Sequence, residues 1–165
     1  MTMKPWMLVA ACVLLSGCDY TVSIVDKPGA DIDRAIVGLW ERTNDEAVVE
    51  RLVVLPLDEK EYLVAYATRP DHTMYARGCR ARVDELELVQ LKWVGSSDGG
   101  VPDDGQVYQY VAYTVAGDVL TVRLLSEDAV EKGEAAALGM AEAIRAKKAE
   151  KDLFKPAMVF QRAGE

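Results

Sequence analysis

The groups able to do chemistry in this 165-residue chain are few: three cysteines, one histidine, and acids scattered along its length. His72 lies in the turn Arg69-Pro70-Asp71-His72-Thr73. A metal site or a catalytic dyad would need further ligands or a nucleophile nearby, and only Asp71 is adjacent. His72 therefore reads as a solvated turn residue. Cys79 has no C-x-x-C partner and no neighbouring histidine, and it alternates onto one strand face with Ala81 and Val83. It reads as a small buried hydrophobe rather than a reactive thiol. The stretch 95–106 offers Asp98, Asp103 and Asp104 to a hard cation such as calcium. Such an ion wants about six to eight oxygens. The spacing departs from the EF-hand pattern, and the glycines suit a hairpin tip equally well. Phosphate-cradling, dinucleotide and zincin signatures are missing from the sequence. No catalytic residue, metal ligand or cofactor is assigned, and the expectation is a protein that is not an enzyme.

Aromatic side chains are the other candidates. Trp40, Trp93, Tyr62, Tyr66, Tyr108, Tyr110 and Tyr113 all fall in strand-like segments. They could line a cavity, although filling the core is the commoner use of strand aromatics. Tyr108 and Tyr110 share one face of their segment and Tyr113 takes the other, so Trp40, Tyr108 and Tyr110 are the candidate ligand contacts.

The elements that must position these residues are mostly β. Runs rich in Val, Leu, Tyr, Thr and Trp predict strands at Ile36–Thr43, Glu50–Leu57, Tyr62–Thr68, Tyr75–Val83, Leu86–Val94, Val107–Ala116, Val119–Ser126 and Ala157–Arg162. Turn residues separate them. Gly117-Asp118 reads as a hairpin turn, and Asp84-Glu85 as part of a longer one. Leu52–Leu57 and Val119–Leu125 are nearly continuous apolar runs, which predicts burial on both faces or cover by another element. Residues 131–152, rich in Ala, Glu, Lys and Arg with a narrow apolar stripe, predict one helix that acts as a lid on the sheet. An antiparallel meander of this length hides its edges by curling into a barrel or half-barrel, closed by the strand after the helix.

Composition limits the partners. The chain carries 27 acids against 19 bases, a formal charge of −8, and no basic cluster stands out in the sequence. That balance disfavours nucleic acid and anionic lipid headgroups.

The amino-terminal segment has a separate logic. Lys4 precedes an apolar run from Trp6 to Leu15, and small residues then lead to Cys18. This order is that of a cleavable secretory signal. The run is shorter than the roughly 20 apolar residues of a membrane span. Residues 1–17 are therefore read as signal peptide, 18–35 as a mature amino terminus and tether, and 36–165 as one domain. With Cys12 removed and Cys18 at the mature amino terminus, Cys79 has no internal disulfide partner.

Two resemblances add expectations. Leu15-Ser16-Gly17-Cys18 resembles the lipobox of bacterial lipoproteins. It implies that Cys18 carries diacylglyceryl and amide-linked acyl chains such as palmitate, and so anchors the protein in the cell envelope. Asp19 matches the inner-membrane retention signal of proteobacterial lipoproteins, which implies a domain facing the periplasm at the inner membrane. Gly38-Leu39-Trp40 on the first strand, followed by a meander, a helix and a last strand, resembles the lipocalin or wider calycin arrangement. Arg162 stands where that family has an arginine packed on the tryptophan. The expected function is a lipid-anchored, non-enzymatic binding or accessory module with an envelope protein as possible partner. The alternative is a calycin-like carrier of a small apolar ligand.

Overall fold

Alternating apolar and polar residues, interrupted by short turns, build eight strands: β1 (Gly38–Thr43), β2 (Val49–Pro56), β3 (Glu61–Arg69), β4 (His72–Val83), β5 (Leu86–Ser96), β6 (Tyr108–Ala116), β7 (Val119–Leu124) and β8 (Met158–Arg162). The computed structural model describes residues 20–102 and 107–164, so Cys18, Asp19, Asp103 and Asp104 lie outside the described residues. The strands pair in sequence order, all antiparallel. β1 also pairs with β8, through Trp40 opposite Arg162 and Glu41 opposite Gln161, so the sheet is a closed barrel rather than a half-barrel. Closure leaves no free sheet edge.

Two hairpins show how turn chemistry sets register. Gly117 takes φ +60°, letting Ala116 pair directly with Val119. Asp84 takes φ +53° and Val83 pairs with Leu86, so Asp84-Glu85 is itself a tight two-residue turn and not part of a longer one. Aspartate tolerates this left-handed conformation better than most residues. Here the side chain is also held, by Arg145 at 3.0 Å and Lys148 at 2.7 Å.

The barrel wall separates two apolar cores. Inside lie Trp40, Val54, Tyr62, Val64, Val89, Leu91, Val111, Leu120, Val122 and Phe160. Outside, Ala81, Val83, Leu88 and Tyr110 are covered by Tyr20, Leu125, Val130 and the helices. The cover reaches only part of the wall. Leu55 and Leu57, expected to be buried, are 45% and 47% exposed, because nothing among the described residues packs over the outer face of β2.

Two further expectations are corrected. The helix expected over 131–152 is two short helices, α1 (Lys132–Leu138) and α2 (Met140–Lys147). Gly139 divides them at φ +86°, ψ 146°. Its N–H closes α1 on Ala135 O (2.9 Å) and its carbonyl starts α2 by accepting from Ala143 N (3.1 Å). A Cβ at this position would meet nothing within 4 Å, so only the backbone conformation resists substitution. Gly139→Ala is expected to destabilise the protein by about 1–3 kcal/mol, against the helix propensity of alanine. Urea denaturation measures this, and an alanine variant as stable as the parent would mean the bend is unimportant.

The segment read as a tether is instead a strap. Tyr20 is 1% exposed and bridges Tyr108, with Tyr20 N donating to Tyr108 O at 2.7 Å. Ile24 N and Val25 N both donate to Gln90 Oε1, and Gln90 Nε2 returns a bond to Val25 O. Farther along, Ile32 N donates to Glu59 O, and a 3-10 turn at Arg34–Ile36 leads into β1. Val22 and Ile24 gain apolar cover this way, and one buried glutamine satisfies three backbone groups, which replaces a strand ladder.

Candidate functional site

The barrel end beside the 3-10 turn is closed by Trp40. Its side chain is fully buried, and Nε1 donates to Ile36 O at 2.8 Å. The Arg162 guanidinium sits 4.1 Å from the centre of the indole and donates to Val37 O and Ala35 O, both at 3.0 Å. Stacking and hydrogen bonding together tie the last strand to the segment before the first. Gly38 is required here: its φ is +143°, and a Cβ would lie 2.6 Å from Arg162 Nη1.

Beside this plug, Tyr113 Oη donates to Asp33 Oδ2 at 2.9 Å and Asp33 N donates to Tyr62 Oη at 2.5 Å. Burial, followed by the neighbouring Asp33 carboxylate, pushes the Tyr113 phenol up. Both rings serve as protonated structural groups at neutral pH.

Nearer the opposite end lies a second polar cluster. Glu50, 6% exposed, accepts from Arg42 Nε (2.5 Å), Tyr66 Oη (2.6 Å) and Asn44 Nδ2 (2.9 Å). Burial alone would raise this carboxyl, but the hydrogen bonds from Arg42, Tyr66 and Asn44 outweigh it and hold it below the ordinary value. Arg42 lies over the Phe160 ring at 5.6 Å. A carboxylate so thoroughly bonded, and so readily ionised, is poorly suited to move protons near neutrality.

The candidate ligand residues are separated by the barrel wall. Trp40 points inward, whereas Tyr110 belongs to the outer core and Tyr108 packs against it, with Lys92 over the Tyr108 ring at 6.0 Å. Tyr110 Oη donates to Val22 O on the strap. These three side chains share no cavity. His72 opens β4, and its Nδ1 lies 3.7 Å from Asp98 Oδ2, a proximity hidden by 26 residues of sequence. Asp98 in turn accepts from Ser96 Oγ and Gly100 N, so the loop uses its oxygens. Cys79 is buried on the outer face, and burial pushes its thiol up. Among the described residues no group of three or more His, Cys, Asp or Glu is arranged to hold a metal ion.

Open volume occurs outside the wall. A cleft of about 530 Å³ runs between the β4–β5 hairpin, β7 and the segment 148–157. Val83, Leu86, Leu153, Phe154 and Pro156 give it apolar surface, and Arg123, Lys148, Lys151 and Lys155 give it positive charge against Glu85 and Glu150. The sequence hides this site because its four cations come from β7, the end of α2 and the approach to β8. A smaller cleft of about 370 Å³ lies between the strap and β4–β5.

The closed eight-stranded meander, the inward tryptophan of β1 and the arginine stacked on it from the last strand are compatible with a calycin-like fold. No protein-family model, curated protein or solved structure matches this chain.

Proposed function

We propose that this protein is a lipid-anchored component of the bacterial cell envelope that works by binding rather than by catalysis. The single observation that carries the reading is Leu15-Ser16-Gly17-Cys18, placed two residues before the point where the chain is clamped to the barrel at Tyr20. With Cys18 acylated, two or more acyl chains hold a protein stably, at about 0.8 kcal/mol per buried CH₂. A free tether of residues 19–35 would span up to roughly 55 Å. The strap leaves only about 7 Å of chain between Cys18 and Tyr20, which brings the barrel close to the bilayer. Asp19 favours the inner membrane, with the domain facing the periplasm.

The Trp40–Arg162 pair favours a lipocalin-like ancestry within the calycin arrangement. The carrier reading draws less support, because Trp40, Tyr62 and Phe160 occupy the barrel interior and the clefts lie outside it. Binding is therefore assigned to the outer surface.

Metabolic labelling with a palmitate analogue tests the anchor. Labelling is expected in the parent and should vanish in Cys18→Ala; equal labelling in the two would overturn the proposal. Envelope fractionation tests the membrane. Co-migration with the outer membrane, unchanged by Asp19→Ser, would reject inner-membrane retention alone.

A further inference from the structure

We infer that the outer cleft binds an anionic amphiphile, a molecule with one alkyl chain and a carboxylate or phosphate head. The inference rests on the reading of this protein as a binding module and supplies that module with a ligand class.

Charge is the first argument. Most Lys and Arg side chains among the described residues have a carboxylate partner, and Arg123 and Lys151 are among the five that do not, with Lys27, Arg34 and Lys92. Most are neutralised close by: Arg145 and Lys148 hold Asp84, and Lys147 holds Glu150 at 3.4 Å. Arg123 and Lys151 are different. Both line the cleft, both are exposed, and neither is ion-paired among the described residues. Lys155 also lines the cleft, where it holds Glu127 at 3.9 Å. Among the lining side chains Arg123, Lys148, Lys151 and Lys155 outnumber Glu85 and Glu150, and the two without an ion pair, Arg123 and Lys151, are left to attract and orient an anion.

Apolar surface is the second argument. Leu86 and Phe154 supply a wall that an alkyl chain can dehydrate. That wall is preformed, because Phe154 bridges Leu125 and Ser126 N donates to Leu153 O at 2.9 Å. A volume of about 530 Å³ lies within the roughly 300–1,000 Å³ typical of small-molecule sites. A free inorganic anion would use only the cations, and a neutral alcohol only the wall. An anionic amphiphile uses both.

Calorimetric titration of the full chain carrying Cys18→Ala, which excludes competition from its own acyl groups, provides the test. Decyl phosphate and decanoate are expected to bind at least about tenfold tighter than decanol or inorganic phosphate, and the tighter of the two identifies the head group. The double variant Arg123→Gln/Lys151→Gln should weaken both anions by about tenfold or more and leave decanol unchanged. Decanol binding as tightly as the anions, inorganic phosphate matching decyl phosphate, or unchanged affinity in the double variant would each overturn the inference. Palmitate labelling at Cys18 does not depend on the cleft, so failure of the cleft and failure of the anchor are read separately.

Discussion

Trp40→Ala is expected to lower the unfolding free energy by about 3–5 kcal/mol, the range for truncating a large buried aromatic. The indole is 0% exposed, so its removal opens a cavity at the packed end of the barrel. It also removes the Nε1 bond to Ile36 O and the surface on which Arg162 rests at 4.1 Å. Arg162 keeps its bonds to Val37 O and Ala35 O but loses the plane that orients it. For a domain of this size each kcal/mol shifts the melting temperature by roughly 2–4 °C, so a drop of about 10 °C is expected in a calorimetric scan. Trp40→Phe should fall between parent and alanine variant, since it fills part of the cavity and lacks the N–H. A loss under about 1 kcal/mol for Trp40→Ala would show that the barrel does not depend on this plug.

Glu50→Ala is expected to have the second largest effect, because it leaves Arg42 inside the barrel without its carboxylate. Removing one partner of a buried ion pair costs about 3–5 kcal/mol. The Arg42 side chain keeps 23% exposure, which places the expected loss at the lower end of that range. Acid titration gives a second measurement. The folded carboxyl lies below its ordinary value of 4.5, despite burial acting in the opposite direction, because Arg42, Tyr66 and Asn44 bond the ionised form. The unfolded state therefore binds the proton more readily. The contribution is fully present above that ordinary value and is lost as pH falls through the lower folded value. Glu50→Gln should flatten this acid limb of the stability curve while disturbing shape less than alanine does. Parallel pH profiles for the parent and Glu50→Gln would contradict the assignment.

Much of the barrel was legible in the sequence because strand signals are local. Residues that alternate, and turns such as Gly117-Asp118, act within a few positions of themselves. Successive short hairpins then leave few topologies other than a meander. The Trp40–Arg162 contact followed from a resemblance in the spacing of elements. Alternation also grouped Cys79, Ala81 and Val83 correctly on one face of β4. Period two separates the faces of a strand without saying which face is inside. That ambiguity is why alternation alone does not separate Tyr108 and Tyr110 from Trp40, although the wall divides them. It is also why the apolar run Leu52–Leu57 predicts burial on both faces or cover by another element while Leu55 stays exposed. The strap is not legible in the sequence because residues 20–36 carry no sustained apolar period: Tyr20, Gln90 and Ile32 make contacts that exist only after the barrel has formed. The break at Gly139 is visible as a glycine and not as a bend, since propensity counts residues and does not fix a φ of +86°.

What the sequence by itself determined is the β-rich meander and most of its turns, written in neighbouring residues. What only the tertiary structure decided is which faces are buried, where the amino-terminal segment lies, and how Arg123, Lys148, Lys151 and Lys155 meet at one cleft. The physical reason is distance along the chain: strand propensity and turn chemistry act over a few residues, whereas burial and electrostatic fields depend on which distant segments closure brings together.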